Sequence, residues 1–419
     1  MKTKIYKKIF AILFLVVLIG FSAINFKSEI GTVIYFVKNI DKPDNMKELG
    51  NITAQVDVVL TENIVGKYGW YEFYGWVHKS LGKNEENNFM YVKDKDDILY
   101  SGNFWNTSQT SPLNIAMRIR KLQDAVADKG TKVVCIMYPT KYNEEWSNGY
   151  YGIPYNDLNE YGDDVLSFLR HYNIDYIDFR DVFIENNMTA KDIFFRTDHH
   201  WTIPTAFFAT GVVLEHLETE YNDYLDPDGY WRDLDNYIVE EYEDVYLGSQ
   251  GRETGIVYAG GLDDFTLIYP KEKINYSYTY VYSSNDTVYT RKGDTLKTLV
   301  DKSMLETENI YESDVYESYM NCVCRRDEII NENLETGKKI FFIRDSYSSP
   351  LATFMAPMCK EIDMKWSVRV SGNEIEEAVL NDTYDYIFVA LAIDNFTDTG
   401  VPFFADEVNE ELEDLLVVP

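Results

Sequence analysis

Apolar positions recur at helical spacing at Ile115, Ile119, Leu122 and Val126, so 114–129 reads as an amphipathic helix. The run from Thr131 to Met137 that follows reads as a buried strand, closed by Tyr138-Pro139. The same alternation repeats downstream. Residues 157–171 read as a helix, 174–179 as a strand, and 202–220 as a helix capped by Thr202 with Pro204 in its first turn. From Asn222 to about Thr336 the period changes. Tyr276-Ser277-Tyr278-Thr279-Tyr280-Val281-Tyr282 alternates like one arm of a hairpin, with a turn near Asn285-Asp286, and the whole stretch reads as a β-rich insertion. Strand signals return at 339–343, 364–370 and 384–392, and the acidic stretch 406–415 reads as a solvated last helix. Strands that alternate with helices predict an α/β domain, a parallel sheet with helices on both faces.

The first residues carry a different pattern. Lys2, Lys4, Lys7 and Lys8 precede an apolar run from Ile9 to Ile24 that ends near Phe26. A basic cluster on one side only marks a signal peptide or signal anchor with a cytoplasmic N-terminus. The run is slightly short for a full span. The nearest small-residue pair, Ser22-Ala23, has bulky neighbours, and no cysteine follows, so a lipoprotein anchor is excluded. The expectation is an uncleaved single-pass anchor over residues 1–27, with the body of the protein outside the cytoplasm. Residues 28–85 read as a membrane-proximal segment, with a helix break at Lys42-Pro43-Asp44 and an aromatic stretch, Trp70–Lys79, that reads as core. The remaining domain, 86–419, contains the β-rich insertion at about 222–336.

Charge narrows the function. Lys plus Arg number 39 and Asp plus Glu 70, a formal net charge of −31, which repels polyanions and excludes nucleic-acid binding. The 34 tyrosines, 23 phenylalanines and 7 tryptophans suit core packing and carbohydrate stacking equally. Cys135, Cys322, Cys324 and Cys359 form no zinc-type pair and no disulfide framework.

Chemistry concentrates in two loops. Of five histidines, two are adjacent in Asp198-His199-His200-Trp201, between the strand at 174–179 and the helix from 202. Asp198 stands two residues before His200, which lets its carboxylate accept from Nδ1 and leave Nε2 as a base. Binding of a metal by Asp198 with His199 or His200, and a satisfied structural turn, are the competing readings. A base needs a nucleophile. Ser346 follows the buried strand Lys339–Ile343 in Arg344-Asp345-Ser346-Tyr347 and precedes a helix, where a nucleophile and an oxyanion donor can share a junction. Helix capping is the plain alternative for Ser346.

These pieces together resemble a known family. Asp198-His199-His200-Trp201 resembles the signature of the DHHW family. It is also similar to the Asp-x-His-Trp motif of alginate-acetylation proteins, in the SGNH hydrolase-like superfamily. The resemblance covers roughly residues 85–419. It implies an SGNH-like (flavodoxin-like) sheet and a triad of Asp198, His200 and Ser346, with Arg344 where a glycine is usual. The order, Asp-x-His before Ser, resembles the circularly permuted members. Asn395, in Ile393-Asp394-Asn395, resembles the place where ordinary SGNH enzymes put their oxyanion-hole asparagine. Lys141, after its strand in Pro139-Thr140-Lys141, faces the same edge and is either a substrate contact or a solvated loop lysine. His199 and Trp201 are further candidates for substrate contact, His199 also for ordering the loop.

By resemblance the protein is expected to be a membrane-anchored O-acyltransferase of polysaccharide biosynthesis in the cell envelope. O-acetyl transfer to an exopolysaccharide or cell-surface glycan, through an acyl-enzyme, is the expected chemistry. A membrane-bound O-acyltransferase is the implied partner, and neither a cofactor nor a metal is expected. A carbohydrate esterase with the same triad, and a non-catalytic glycan-binding protein, remain alternatives.

Overall fold

The computed structural model describes residues 2–40, 45–62, 64–102, 110–283, 286–321 and 323–416. The expected break at Lys42-Pro43-Asp44, Asn285 of the expected turn, and Cys322 lie outside these residues. The chain divides into two compact units, Met1–Val77 and His78–Pro419.

The first unit is helical. Lys2–Asn39 is one helix that continues past residue 27, and within it Tyr6–Ser28 is long and apolar enough to cross a membrane. Its 23 residues span about 35 Å at the helical rise, against about 30 Å of bilayer hydrocarbon. Met46–Glu62 and Lys67–Ser80 are helices too. The aromatic stretch expected in the core is instead at the surface: Trp70, Phe73, Tyr74 and Trp76 are each about half exposed. An aromatic run is buried only where another element packs over it, and these rings keep about half of their surface open.

The second unit contains all the strands among the described residues. A small antiparallel sheet joins β1 (Glu85–Glu86), β2 (Tyr91–Lys93) and β3 (Leu99–Ser101). The others are β4 (Lys132–Tyr138), β5 (Asp175–Asp178), β6 (Tyr237–Tyr246), β7 (Asp263–Pro270), β8 (Tyr276–Tyr282), β9 (Val288–Gly293), β10 (Cys324–Asn331), β11 (Lys338–Arg344), β12 (Cys359–Trp366) and β13 (Tyr386–Ala392). Eight of them form one sheet in the order β5-β4-β13-β11-β12-β10-β8-β9.

The five strands from β5 to β12 run parallel, as expected, and β10, β8 and β9 extend them antiparallel, so the sheet is mixed. Part of the β-rich stretch 222–336 is therefore built into the central sheet. Only β6 and β7 form a ribbon of their own. The link between β8 and β9 is too short for a crossover, which leaves antiparallel pairing. β12 begins earlier than the expected 364–370, and Ser367–Arg369 is a 3₁₀ turn. Lys360, Glu361, Asp363 and Lys365 break up the apolar signal of Ile362 and Met364 on that strand.

Side-chain alternation divides the core between the two faces. Val133, Cys135 and Met137 of β4 pack with Phe341, Val389 and the helices Pro112–Val126, Asn159–His171 and Gly372–Asn381. Val134, Ile136 and Tyr138 pack with Phe342, Phe388 and the helix Ile203–Tyr221 on the other face. Gly130, with φ of 75°, ends the first of these helical stretches in the left-handed conformation that favours glycine and turns the chain into β4. From β11 the chain passes to β12 on one side and returns to β13 on the other. The carboxyl ends of β11 and β13 thus flank a topological switch point, where α/β sheets open a crevice.

If β8 and β10 share the cooperative core, amide exchange of Tyr278 and Ile329 should match the opening free energy of Phe342 in β11. Exchange of the first two at clearly lower free energy in native-state hydrogen-exchange measurements would mark a separately unfolding lobe.

Candidate active site

Asp198, His200 and Ser346 meet at this switch point. The Nδ1 of His200 lies 2.5 Å from Asp198 Oδ1, and its Nε2 lies 2.6 Å from the Ser346 hydroxyl. The His200 backbone N–H donates to Asp198 Oδ1 at 2.9 Å, and the Ser249 N–H donates to Asp198 Oδ2 at 2.6 Å. Asp198 is fully buried. Burial alone would raise its pKa, but the neighbouring His199 and His200 and these hydrogen bonds outweigh it and hold the carboxyl well below the usual range. His200 Nδ1 and Asp198 Oδ1 thus stand at hydrogen-bond distance, while Asp198, His199 and His200 also offer ligand atoms within 4.8 Å of one another, a spacing that could hold a metal ion.

The approach of Ser249 depends on Gly248. A β-carbon at 248 would stand 2.2 Å from Asp198 Cβ, so only glycine lets that turn lie against the loop. Thr197 reinforces the junction: its hydroxyl accepts from the Gly248 N–H at 2.8 Å and donates to Asp263 at 2.6 Å.

Ser346 is set by its own turn. Asp345, also buried, accepts from the N–H of Tyr347 at 3.1 Å, from the N–H of Ala392 at 2.6 Å and from the Asn395 side-chain amide at 2.9 Å. One carboxylate thus ties the end of β11 to the end of β13. Burial raises its pKa, and those donors oppose the rise. Arg344 stands without strain where a glycine is usual, because position 344 is the last residue of β11 and extended. Its fully buried guanidinium donates to Asp327 at 2.6 Å, to the Cys324 carbonyl at 2.9 Å and, at 3.4 Å, to the Asp345 carbonyl of the turn itself.

Around Ser346 opens a cleft of about 270 Å³, lined among others by Tyr100, Lys141, Tyr142, His199, Trp366 and Asn395. Lys141 is neither a solvated loop lysine nor a free cation. It is buried, and its ammonium donates to the carbonyls of Asp198 at 2.6 Å and Arg196 at 3.1 Å and to Gln250 Oε1 at 3.2 Å. Burial lowers its pKa to about 7, against the pull of Asp263, Asp198 and Asp94. His199 lines the cleft, with Nδ1 3.0 Å from the Ser249 hydroxyl, and its carbonyl accepts from the Tyr347 hydroxyl. Trp201 does not reach the cleft. It is fully buried against Tyr138, Phe179 and Tyr347, so its expected substrate contact is replaced by core packing beneath the loop.

Sequence reasoning missed Tyr316. Its ring stacks face to face on His200, centroids 3.9 Å apart and planes within 10°. Tyr316 belongs to the short turn Val315–Ser318 inside the β-rich stretch, and no local pattern marks it. Gly248 and Ser249 carry only the signal of a glycine-containing turn.

The fold is an SGNH-like α/β fold, a mixed sheet with helices on both sides. Residues 95–230, which include Lys141 and Asp198–Trp201, match the family model described as SGNH hydrolase-like domain, acetyltransferase AlgX. Among solved structures the chain is similar to Bacillus cereus PatB1 with a sulfonyl adduct, at 15% identity and a TM-score of 0.61, over 76% of this chain and 99% of that one. A second PatB1 structure gives 15% identity and a TM-score of 0.57, over 74% and 98%. A DHHW family protein from Eubacterium siraeum DSM 15702 gives 17% identity and a TM-score of 0.50, over 76% and 94%. No curated protein matches at the sequence level. The SGNH-like fold and the resemblance read from the sequence agree with these similarities.

Replacing Lys141 by Met leaves the carbonyls of Arg196 and Asp198 without their donor, and should cost about 3 kcal/mol in urea unfolding. Because the folded pKa of Lys141, about 7, lies below the ordinary lysine value of 10.5, this group binds its proton more weakly in the native state. Its contribution to stability therefore rises with pH from about 7 upward. The advantage of the wild type over Lys141→Met should widen between pH 7 and pH 9, and a constant difference would contradict the assignment.

Proposed function

We propose that the protein is an extracytoplasmic, membrane-anchored O-acyltransferase that transfers acyl groups, acetyl foremost, to a cell-surface or exopolysaccharide glycan through a Ser346–His200–Asp198 triad. The observation that carries this reading is the unbroken hydrogen-bonded chain from Asp198 through His200 to Ser346, at 2.5 and 2.6 Å, at the mouth of a cleft.

In the first half-reaction the Ser346 oxygen attacks the acyl carbonyl carbon of a donor and passes its proton to His200 Nε2. Asp198 holds the imidazole in the required tautomer and faces the imidazolium that forms. The face of Tyr316 favours the same cation. The N–H of Ser346 and the Asn395 amide serve as oxyanion donors. Asn395 commits one amide hydrogen to Asp345, and an amide has a second. The tetrahedral intermediate collapses, the donor's leaving oxygen or sulfur takes the proton from His200, and an ester on Ser346 remains. In the second half-reaction a sugar hydroxyl gives its proton to His200, attacks that ester and carries the acyl group away. His200 returns the proton to Ser346. The rings of Tyr142 and Trp366 in the cleft wall suit stacking against a sugar.

The apolar stretch Tyr6–Ser28 anchors the chain in this reading, and a membrane-bound O-acyltransferase is the partner that brings the acyl group to the same membrane face. The family described as acetyltransferase AlgX supports the transfer chemistry.

The decisive test is covalent labelling of the full chain in detergent with a fluorophosphonate, read by peptide mapping. One adduct on Ser346 is expected, absent in Ser346→Ala and strongly reduced in His200→Ala and Asp198→Ala. No adduct in a folded wild type, together with no turnover of a small acetyl ester, would remove the nucleophile. Release of free acetate at the same rate with and without glycan acceptor would identify an esterase instead. Tyr316→Phe should keep near-wild-type turnover, whereas Tyr316→Leu should lower kcat about tenfold or more by loss of the aromatic face.

A further inference from the structure

The first unit carries an aromatic surface at one particular level of the apolar helix. Trp70 packs edge-on against Phe21, ring centroids 5.4 Å apart, and the Val65 N–H donates to Asn25 Oδ1 at 2.8 Å. These two contacts fix the start of the Lys67–Ser80 helix against the last turns of Tyr6–Ser28. At 1.5 Å per residue, Phe21 lies about 10 Å and Asn25 about 5 Å short of the end at Ser28. In a chain whose Tyr6–Ser28 crosses a bilayer, that is the depth at which acyl chains meet headgroups.

The side chains shown at this level are those that such a boundary favours. Trp70, Phe73 and Trp76 are 50%, 56% and 54% exposed. Phe73 stacks on Trp76 at 6.0 Å and meets Trp70 edge-on at 6.4 Å, so the three form one continuous patch. Phe14, Leu18, Phe21, Ile64 and Trp70 line an almost wholly apolar hollow beside it. In water a contiguous patch of this kind is costly. Tryptophan, with an apolar ring body and one polar N–H, is stabilised at a membrane–water interface.

We infer that the Lys67–Ser80 helix is a second membrane contact, lying in the headgroup–acyl boundary of the leaflet on the Ser28 side of the anchor, with the lipid bilayer as the occupant of its aromatic face. This rests on the reading of Tyr6–Ser28 as a spanning helix. The lipid is favoured as occupant by continuity, because the patch begins on the ring that touches Phe21 of that helix.

The test uses the full chain reconstituted into phosphatidylcholine vesicles. Alkaline carbonate extraction reports first on the anchor, and release of the chain would overturn the spanning reading and this inference with it. For a chain that resists extraction, tryptophan emission is measured in vesicles of phosphatidylcholine brominated at shallow or deep chain positions. Shallow bromines should quench about a quarter of the emission, the share of Trp70 and Trp76 among seven tryptophans. Deep bromines should quench less. In the Trp70→Phe/Trp76→Phe variant the quenched fraction should vanish. Integral protein without shallow quenching, or with the same quenching in the double variant, would overturn the inference and assign the patch to a protein partner.

Discussion

An ionised carboxylate buried away from water is tolerated only when its oxygens are saturated by donors, and Asp198 sets that condition for the whole site. Two donors come from His200 itself and a third from the backbone of Ser249, on a turn distant in sequence. That third bond requires the backbone at 248 to touch Asp198, which only glycine allows. It requires the loop to hold still, which Lys141 ensures by binding the carbonyls of Arg196 and Asp198 from the end of β4. The imidazole that Asp198 orients is then closed on its open face by Tyr316. Loops from four parts of the chain are thus committed by one buried charge.

A second carboxylate does the corresponding work for Ser346. Asp345 gathers donors from its own turn and from the end of β13, so the seryl oxygen is positioned by the pairing of two central strands rather than by a flexible loop. Positioning on rigid elements is what the proposed attack by Ser346 would demand, because small misplacements are costly in rate. The buried Arg344–Asp327 pair couples the same turn to β10, and so joins the antiparallel half of the sheet to the parallel half beside the site.

Much of this was legible because it is periodic or local. The alternation of buried strands and amphipathic helices, the capping of Ile203–Tyr221 by Thr202, and the Asp198–His200 spacing each depend on residues a few positions apart. The misread places follow from the same rule. Trp70–Lys79 is aromatic enough to pass for core, but burial is a property of what surrounds a helix. Trp201 follows His200 and so looks like a substrate contact, yet its direction is set by the core under the loop. The strand β12 was displaced because charged residues alternate along it.

The sequence by itself determined the elements, the anchor-like helix, the loop that pairs a carboxylate with an imidazole and the strand-to-helix junction that holds a serine, since all of these are short-range. Only the tertiary structure decided that His200 and Ser346, 146 residues apart, meet at 2.6 Å, that Lys141 faces carbonyls instead of solvent, and that Tyr316 from the β-rich stretch walls the imidazole. Those contacts depend on strand order across the sheet, and strand order is settled by packing among distant segments, which no local pattern encodes.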